Sequence, residues 1–193
     1  MPGVSISGSA GYGDISTVGA LEVDLGNNNT TQKYWYSKNA TSLTSAPLPC
    51  PAADQAFLGG VRSGNVIALC SDSPSAVGPG NTDVRLRIAG RLGGPFAASG
   101  PAVDMANVAD FAASSASSMT IATEGYLAVT ANAGKTWTIK LTQDNGAFFS
   151  DLAFPTATTG FVVCSTVNNA LKIVNTVYRT TSAGKSWSGL SLP

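Results

Sequence analysis

Two stretches near the end of the chain, residues 130–137 (TANAGKTW) and residues 180–187 (TTSAGKSW), decide how the rest is read. Ala133, Gly134, Lys135 and Trp137 recur as Ala183, Gly184, Lys185 and Trp187, fifty residues later. Each stretch carries turn chemistry and then an aromatic. A short polar side chain at Asn132 or Ser182 can bond the turn backbone, Gly134 or Gly184 can take a positive φ, and the tryptophan packs where the next strand starts. Upstream, residues 110–123 (DFAASSASSMTIAT) align without a gap on residues 151–164 (DLAFPTATTGFVVC). Asp110 falls on Asp151, Ala112 on Ala153, Ala116 on Ala157, and Ile121 and Ala122 on Val162 and Val163. The offset is 41 at the opening aspartate and 50 at the tryptophan, so the last unit holds nine extra residues, expected around Asn168 and Asn169.

An earlier unit is worn but legible. Residues 54–70 (DQAFLGGVRSGNVIALC) have the same opening aspartate and closing apolar strand, and GNTDVRLRIAG follows from residue 80. The first fifty residues hold the weakest copy. Trp35 stands 102 residues before Trp137, close to two periods, which places all three tryptophans in one phase with Leu86 between. Within a unit, apolar runs such as LAF, FVV, VYRTT and KSWSGL are separated by Gly, Ser, Asn and Pro. Strands of four to six residues at spacings near ten point to antiparallel sheet. The best helical candidate, residues 101–118 (PAVDMANVADFAASSASS), is bounded by Pro101 and runs into an aligned strand, so it is read as strand. The expectation is an all-β chain: one β-propeller domain over residues 1–193, with about four blades at 1–50, 51–100, 101–145 and 146–193.

Composition excludes several functions. The 193 residues carry 11 Lys+Arg against 11 Asp+Glu and no His. Zero net charge offers no footprint for nucleic acid or an anionic membrane, and catalytic triads and metal sites that need His are absent. Ala, Gly, Ser and Thr make up 89 residues, a bias that suits short strands and tight turns. No apolar run reaches 18 residues, so no membrane insertion is expected, and the opening MPGVSISGSAGYGD lacks the features of a signal peptide. The tail GKSWSGLSLP reads as the natural end of a last outer strand. Cys50, Cys70 and Cys164 form no CxxC; Cys70 and Cys164, in apolar runs, read as small buried hydrophobes, with a disulfide using Cys50 left open.

The two turn stretches resemble the Asp-box, or BNR repeat: Ser or Thr, any residue, Asp, any, Gly, any, Thr, Trp. The matching positions are Thr130, Asn132, Gly134, Thr136 and Trp137, then Thr180, Ser182, Gly184, Ser186 and Trp187; Asn132 and Ser182 replace the aspartate. From Asp110 onward the chain is similar to the Asp-box propellers typified by photosystem II assembly and stability factors, sialidases and the sortilin ectodomain. That resemblance implies a hairpin between the third and fourth strands of a blade and a structural role for the motif. It also implies protein partners, carbohydrate, or a sialidase-like exo-glycosidase.

The residues favour a binding module over an enzyme. A sialidase needs an Arg triad, a Tyr and Glu pair and an Asp acid. Here Arg62, Arg85, Arg87, Arg91 and Arg179 lack the Arg-Ile-Pro context, and the glutamates are Glu22 and Glu124, the latter beside Tyr126 in a turn. Asp72, Asp83 and Asp144 are isolated, and TQDNG at residues 142–146 is hairpin chemistry. AGKTW and AGKSW have Val129 and Arg179 where a phosphate loop needs its first glycine. The expectation is therefore no catalytic, cofactor or metal residues. The chain is read as a scaffold that is secreted, periplasmic or held in a bacterial cell envelope. Four units close alone, pair as a homodimer into an eight-bladed ring, or belong to a larger propeller; the sequence leaves these open.

Overall fold

The computed structural model describes residues 13–17, 21–25, 33–38, 41–51, 54–60, 64–72, 82–143 and 146–190. Among them are sixteen strands and no helix. The first sheet is β1 (Gly13–Thr17), β2 (Leu21–Leu25), β3 (Lys33–Ser37) and β4 (Thr44–Ala46). The second is β5 (Asp54–Gly60), β6 (Val66–Asp72), β7 (Thr82–Ala89) and β8 (Ala97–Met105). The third is β9 (Val108–Ala113), β10 (Met119–Thr123), β11 (Tyr126–Thr130) and β12 (Thr138–Thr142), and the fourth β13 (Phe148–Ala153), β14 (Gly160–Val167), β15 (Ile173–Thr180) and β16 (Ser188–Gly189). All four sheets are antiparallel meanders in chain order. The first strands stand in sequence, β1 beside β5, β5 beside β9 and β9 beside β13. This is the blade arrangement of a β-propeller, with four blades.

The strand period of two explains the packing, because it gives each inner sheet a separate row of side chains for the neighbour on either face. In the third sheet, Phe111, Met119, Ile121 and Ala128 pack with Ile67, Leu69, Val84 and Leu86 of the second. Its other face turns Ala122 and Leu127 to Phe149, Leu152, Val162 and Cys164 of the fourth. Tyr34 of β3 is buried against the second sheet, with its ring 5.7 Å from that of Phe96 and edge-on. Hydrogen bonds cross the seams too. Asp110 Oδ2 accepts from the Leu152 amide at 2.6 Å, and Gln143 Nε2 donates to Tyr178 Oη at 2.9 Å.

The nine extra residues of the last unit lengthen one hairpin. β14 and β15 pair from Gly160↔Thr180 to Val167↔Ile173, whereas β10 and β11 pair only from Met119↔Thr130 to Ala122↔Leu127. Asn168 lies in the tip, where its Oδ1 accepts from the amides of Ala170 and Lys172. Residues 101–118 form the end of β8, then β9 and a Ser-rich turn.

Three expectations need correction. Trp35 and Leu86 lie within third strands, β3 and β7, whereas Trp137 and Trp187 precede the fourth strands β12 and β16, so the tryptophans share no phase. The spacing of 102 residues was misleading because the units differ in hairpin length. The second sheet runs to Met105, beyond the limit expected at residue 100. Cys70 is not a free hydrophobe: it forms a disulfide with Cys50, while Cys164 is free and buried. The bridge fastens the link after β4 to β6 and closes a loop of sequence separation 20. By the loop-entropy relation, the paired substitutions Cys50→Ala and Cys70→Ala cost about 3 kcal/mol. Thermal unfolding by circular dichroism is expected to show a midpoint about 6–12 °C lower, with a similar fall when the native chain is reduced.

Candidate functional site

The two repeated turns are built alike, from the residues singled out in the sequence. Thr130 Oγ1 accepts from the amides of Asn132 and Gly134 at 3.3 and 3.0 Å and donates to Asn132 Oδ1. Asn132 then accepts from the Thr136 amide at 2.9 Å and donates through Nδ2 to Thr136 Oγ1. Thr180, Ser182, Gly184 and Ser186 repeat the pattern: Thr180 Oγ1 accepts from the Ser182 and Gly184 amides, and Ser182 Oγ from that of Ser186. Ala133 and Gly134 both have positive φ, 58° and 80°, as do Ala183 and Gly184 at 56° and 86°; this is the backbone sense of a type I′ turn.

Two features of these turns escaped the sequence reading. The amides of Ala133 and Ala183 donate to the carbonyls of Ser117 and Thr158, tying each turn to the first hairpin of its own sheet. Each turn also leans on the preceding sheet. Ser99 Oγ donates to the Ala133 carbonyl at 2.7 Å, and Ser118 Oγ to the Ala183 carbonyl at 3.3 Å. Trp137 packs with the core between the second and third sheets, and Trp187 packs edge-on against Phe154 at 6.1 Å. The hydroxyl and amide side chains of both turns are thus engaged within the fold, while Trp187 Nε1 is buried without a hydrogen-bond partner among the described residues.

Glu124 and Tyr126 are likewise occupied. Glu124 Oε2 accepts from Asn107 Nδ2 at 3.3 Å, and Tyr126 Oη accepts from the Ala106 amide at 2.9 Å, anchoring the link between the second and third sheets. Burial pushes the Cys164 thiol up from its ordinary value. Tyr178 is pushed up by burial first and then by a Cys164 charge beside it. Both groups are therefore held neutral. The stability this gives is full below the ordinary thiol range and is lost as pH rises through the raised values. A neutral, buried thiol is no nucleophile near pH 7.

The polar constellation lies on the second sheet. In β7, Arg85 stands opposite Cys70 and Arg87 opposite Ala68, so both arginines share the face turned to the first sheet. Asp83 precedes them on the same strand face, and with Asp54 they line a cleft of about 310 Å³ beside the disulfide, walled by Pro51 and Ala98. Arg87 Nη2 donates to the Phe96 carbonyl at 3.1 Å. Its Nε is buried without a hydrogen-bond partner among the described residues. Register thus brings two carboxylates to arginines that the sequence alone offered only as isolated candidates. Arg179 is remote, in β15; Arg62 and Asp144 lie outside the described residues. Among the described residues no group of three or more His, Cys, Asp or Glu is placed to hold a metal ion. Nor is any helix long and apolar enough to cross a membrane.

Neither a protein-family model nor a curated protein matches the sequence. Solved structures do resemble the fold. The GH74 xyloglucanase from Xanthomonas campestris superposes with TM-score 0.54 at 17% identity, over 90% of this chain and 29% of that one. The exo-β-1,3-galactanase from Phanerochaete chrysosporium, solved with galactose, gives 0.54 at 12% identity, over 92% and 49% of the two chains. The same galactanase with β-1,3-galactotriose gives 0.53. At these identities the likeness is one of fold, and the chain spans less than half the length of either protein.

Proposed function

We propose that this chain is a non-catalytic β-propeller of the Asp-box type that binds acidic carbohydrate. The observation that carries the reading is the cleft where Arg85 and Arg87 stand beside Asp54 and Asp83, with Arg87 Nε left without a partner among the described residues. Guanidinium groups bind carboxylates in a forked geometry, and neighbouring aspartates accept from sugar hydroxyls, so the set suits a uronic-acid sugar. The disulfide supports an oxidising compartment, in keeping with an exported or envelope protein. The Asp-box assignment draws support from the matching bond pattern of the two turns. The side chains of Thr130, Asn132, Thr180 and Ser182 are spent on bonds within their own turns, which supports a structural role.

A glycoside hydrolase, sialidase-like or otherwise, is the second reading, favoured by likeness to propellers named as xyloglucanase and galactanase. Against it, Glu124 and Tyr126 are held by backbone and amide partners and are not assembled as an acid and a nucleophile. Isothermal titration calorimetry with trigalacturonate and with neutral cellotriose tests the first reading. Binding of the acidic sugar is expected, falling at least about tenfold in Arg87→Ala, or ~1.4 kcal/mol. Absence of binding to either sugar refutes it, and turnover of fluorogenic galactosides or sialosides moves the chain to the second reading.

A further inference from the structure

Among the described residues, no other sheet packs on one face of the fourth sheet. Its inner face, with Phe149, Val162, Cys164 and Tyr178, packs on the third sheet. Strand alternation turns Phe161, Val163 and Val167 of β14 the other way, opposite Arg179, Val177 and Ile173 of β15. Phe148 joins them, since it stands opposite Ser165 on that face. Apart from Arg179 and the hydrogen-bonded pair Ser165 and Asn175 the face is apolar, yet Ile173 is 72% and Val167 46% exposed. Exposed apolar rows of this kind mark interaction surfaces.

Its positions repeat an interface already formed. Val163 and Val177 pair across β14 and β15 as Ala122 and Leu127 pair across β10 and β11. They are the same positions by the offsets of 41 and 50 residues. Ala122 and Leu127 are fully buried because the fourth sheet lies on them. Leu69 and Leu86 form the corresponding pair in the second sheet, covered by the third. The rule that each sheet is covered on this face by another sheet therefore holds twice and stops at the fourth.

At the other end of the arc, Trp35 stands opposite Val23 and Ser45, and Val23 opposite Ile15. Trp35 lies on the side opposite Tyr34, which faces the second sheet. Among the described residues no contact comparable to those between β1, β5, β9 and β13 joins β13 to β1. We propose that a second copy of this chain docks head to tail, the Val163 and Val177 face of one fourth sheet against the Trp35 face of the partner's first sheet. A two-fold pair of such contacts closes eight sheets in one ring. One end of the arc supplies a face of the kind that receives a following sheet, and the other supplies a sheet whose leading face meets no other sheet among the described residues, so a single surface pair serves both seams.

Light scattering on the full chain at micromolar concentration reads the mass, and the expected value is twice the chain mass of 19.5 kDa. Val177→Asp, with its β-sheet circular dichroism unchanged, is expected to return the single-chain mass. A second measurement does not depend on that variant folding. Ser45→Cys and Ser188→Cys place thiols on the two proposed faces, since Ser45 pairs with Trp35 and Ser188 with Arg179. Packed sheets lie about 10 Å apart, within reach of a short bismaleimide. The mixed variants are expected to cross-link and each alone is not. A single-chain mass for the native protein at every concentration overturns the proposal. So does a dimer that survives in folded Val177→Asp, or Ser188→Cys coupling to itself as readily as to Ser45→Cys.

Discussion

Phe149→Ala is expected to lower the stability of the chain by about 3–5 kcal/mol, the usual range for truncating a buried phenylalanine. Phe149 is fully buried in β13, and it stands where the third and fourth sheets meet, among Ala122, Leu127, Leu152, Val162 and Cys164. Its ring also lies 6.3 Å from that of Tyr178, tilted by 58°. Removing it opens a cavity lined by rigid sheet residues on both sides, which cannot collapse without moving one blade against another. For a chain of this length the midpoint is expected to fall about 6–20 °C in thermal unfolding followed by circular dichroism. Phe148 gives the matched control: it is the preceding residue, on the opposite face and 43% exposed. Phe148→Ala is expected to cost no more than about 1 kcal/mol when measured on the dissociated chain. Equal losses for the two would show that the alternation of β13 is misplaced.

Gly100→Ala is expected to cost at least about 3 kcal/mol for a different reason. Gly100 has φ of 80°, a conformation that costs an L-residue about 1–2 kcal/mol. A Cβ there would also run into the Gly134 carbonyl oxygen, with the Gly134 carbon 2.6 Å away and the Lys135 nitrogen at 3.0 Å. These are backbone atoms of a turn already fixed by Thr130 and Asn132, so they cannot swing aside as a side chain could. Relief requires the third sheet to lift from the second. Gly90→Ala is the control, since a Cβ at that site meets nothing within 4 Å and φ is ordinary; it is expected to be near neutral. Chemical denaturation read by tryptophan fluorescence separates the two, because Trp137 follows the displaced turn directly.

The repeat carried much of this fold in readable form. The offset of 41 residues that aligned Asp110 with Asp151 also relates Ser117 to Thr158, whose carbonyls perform the same task for turns 50 residues apart. Local chemistry of that kind is legible because the acceptor, the donor and the positive φ all lie within a few residues. What could not be read depends on separations that no period fixes. The Cys50–Cys70 bridge needs the link after β4 to return to β6, and nothing in the spacing of three cysteines requires it. Trp35 followed a numerical coincidence, since its sheet is closed by a different number of loop residues. The cleft of Arg85 and Arg87 with Asp54 and Asp83 is a product of register between strands far apart in sequence. Arginine in a strand announces a solvated face by itself, and only the pairing partner gives it a neighbour.

The backward lean of the turns bears on how such a chain is born. Gly134 sits on Leu86 and the Ser99 carbonyl, and Gly184 on Thr120 and Val129, so each turn completes the sheet that left the ribosome before it. A newly made sheet waits, with its following face bare, until the next one has emerged far enough to clasp it. Synthesis from the N-terminus therefore lays the blades down in order, each arrival acting as latch for its predecessor. A pause in translation once residue 142 has cleared the ribosome would leave the third sheet formed but unlatched, the moment at which the nascent chain is most open to mispairing with another of its kind.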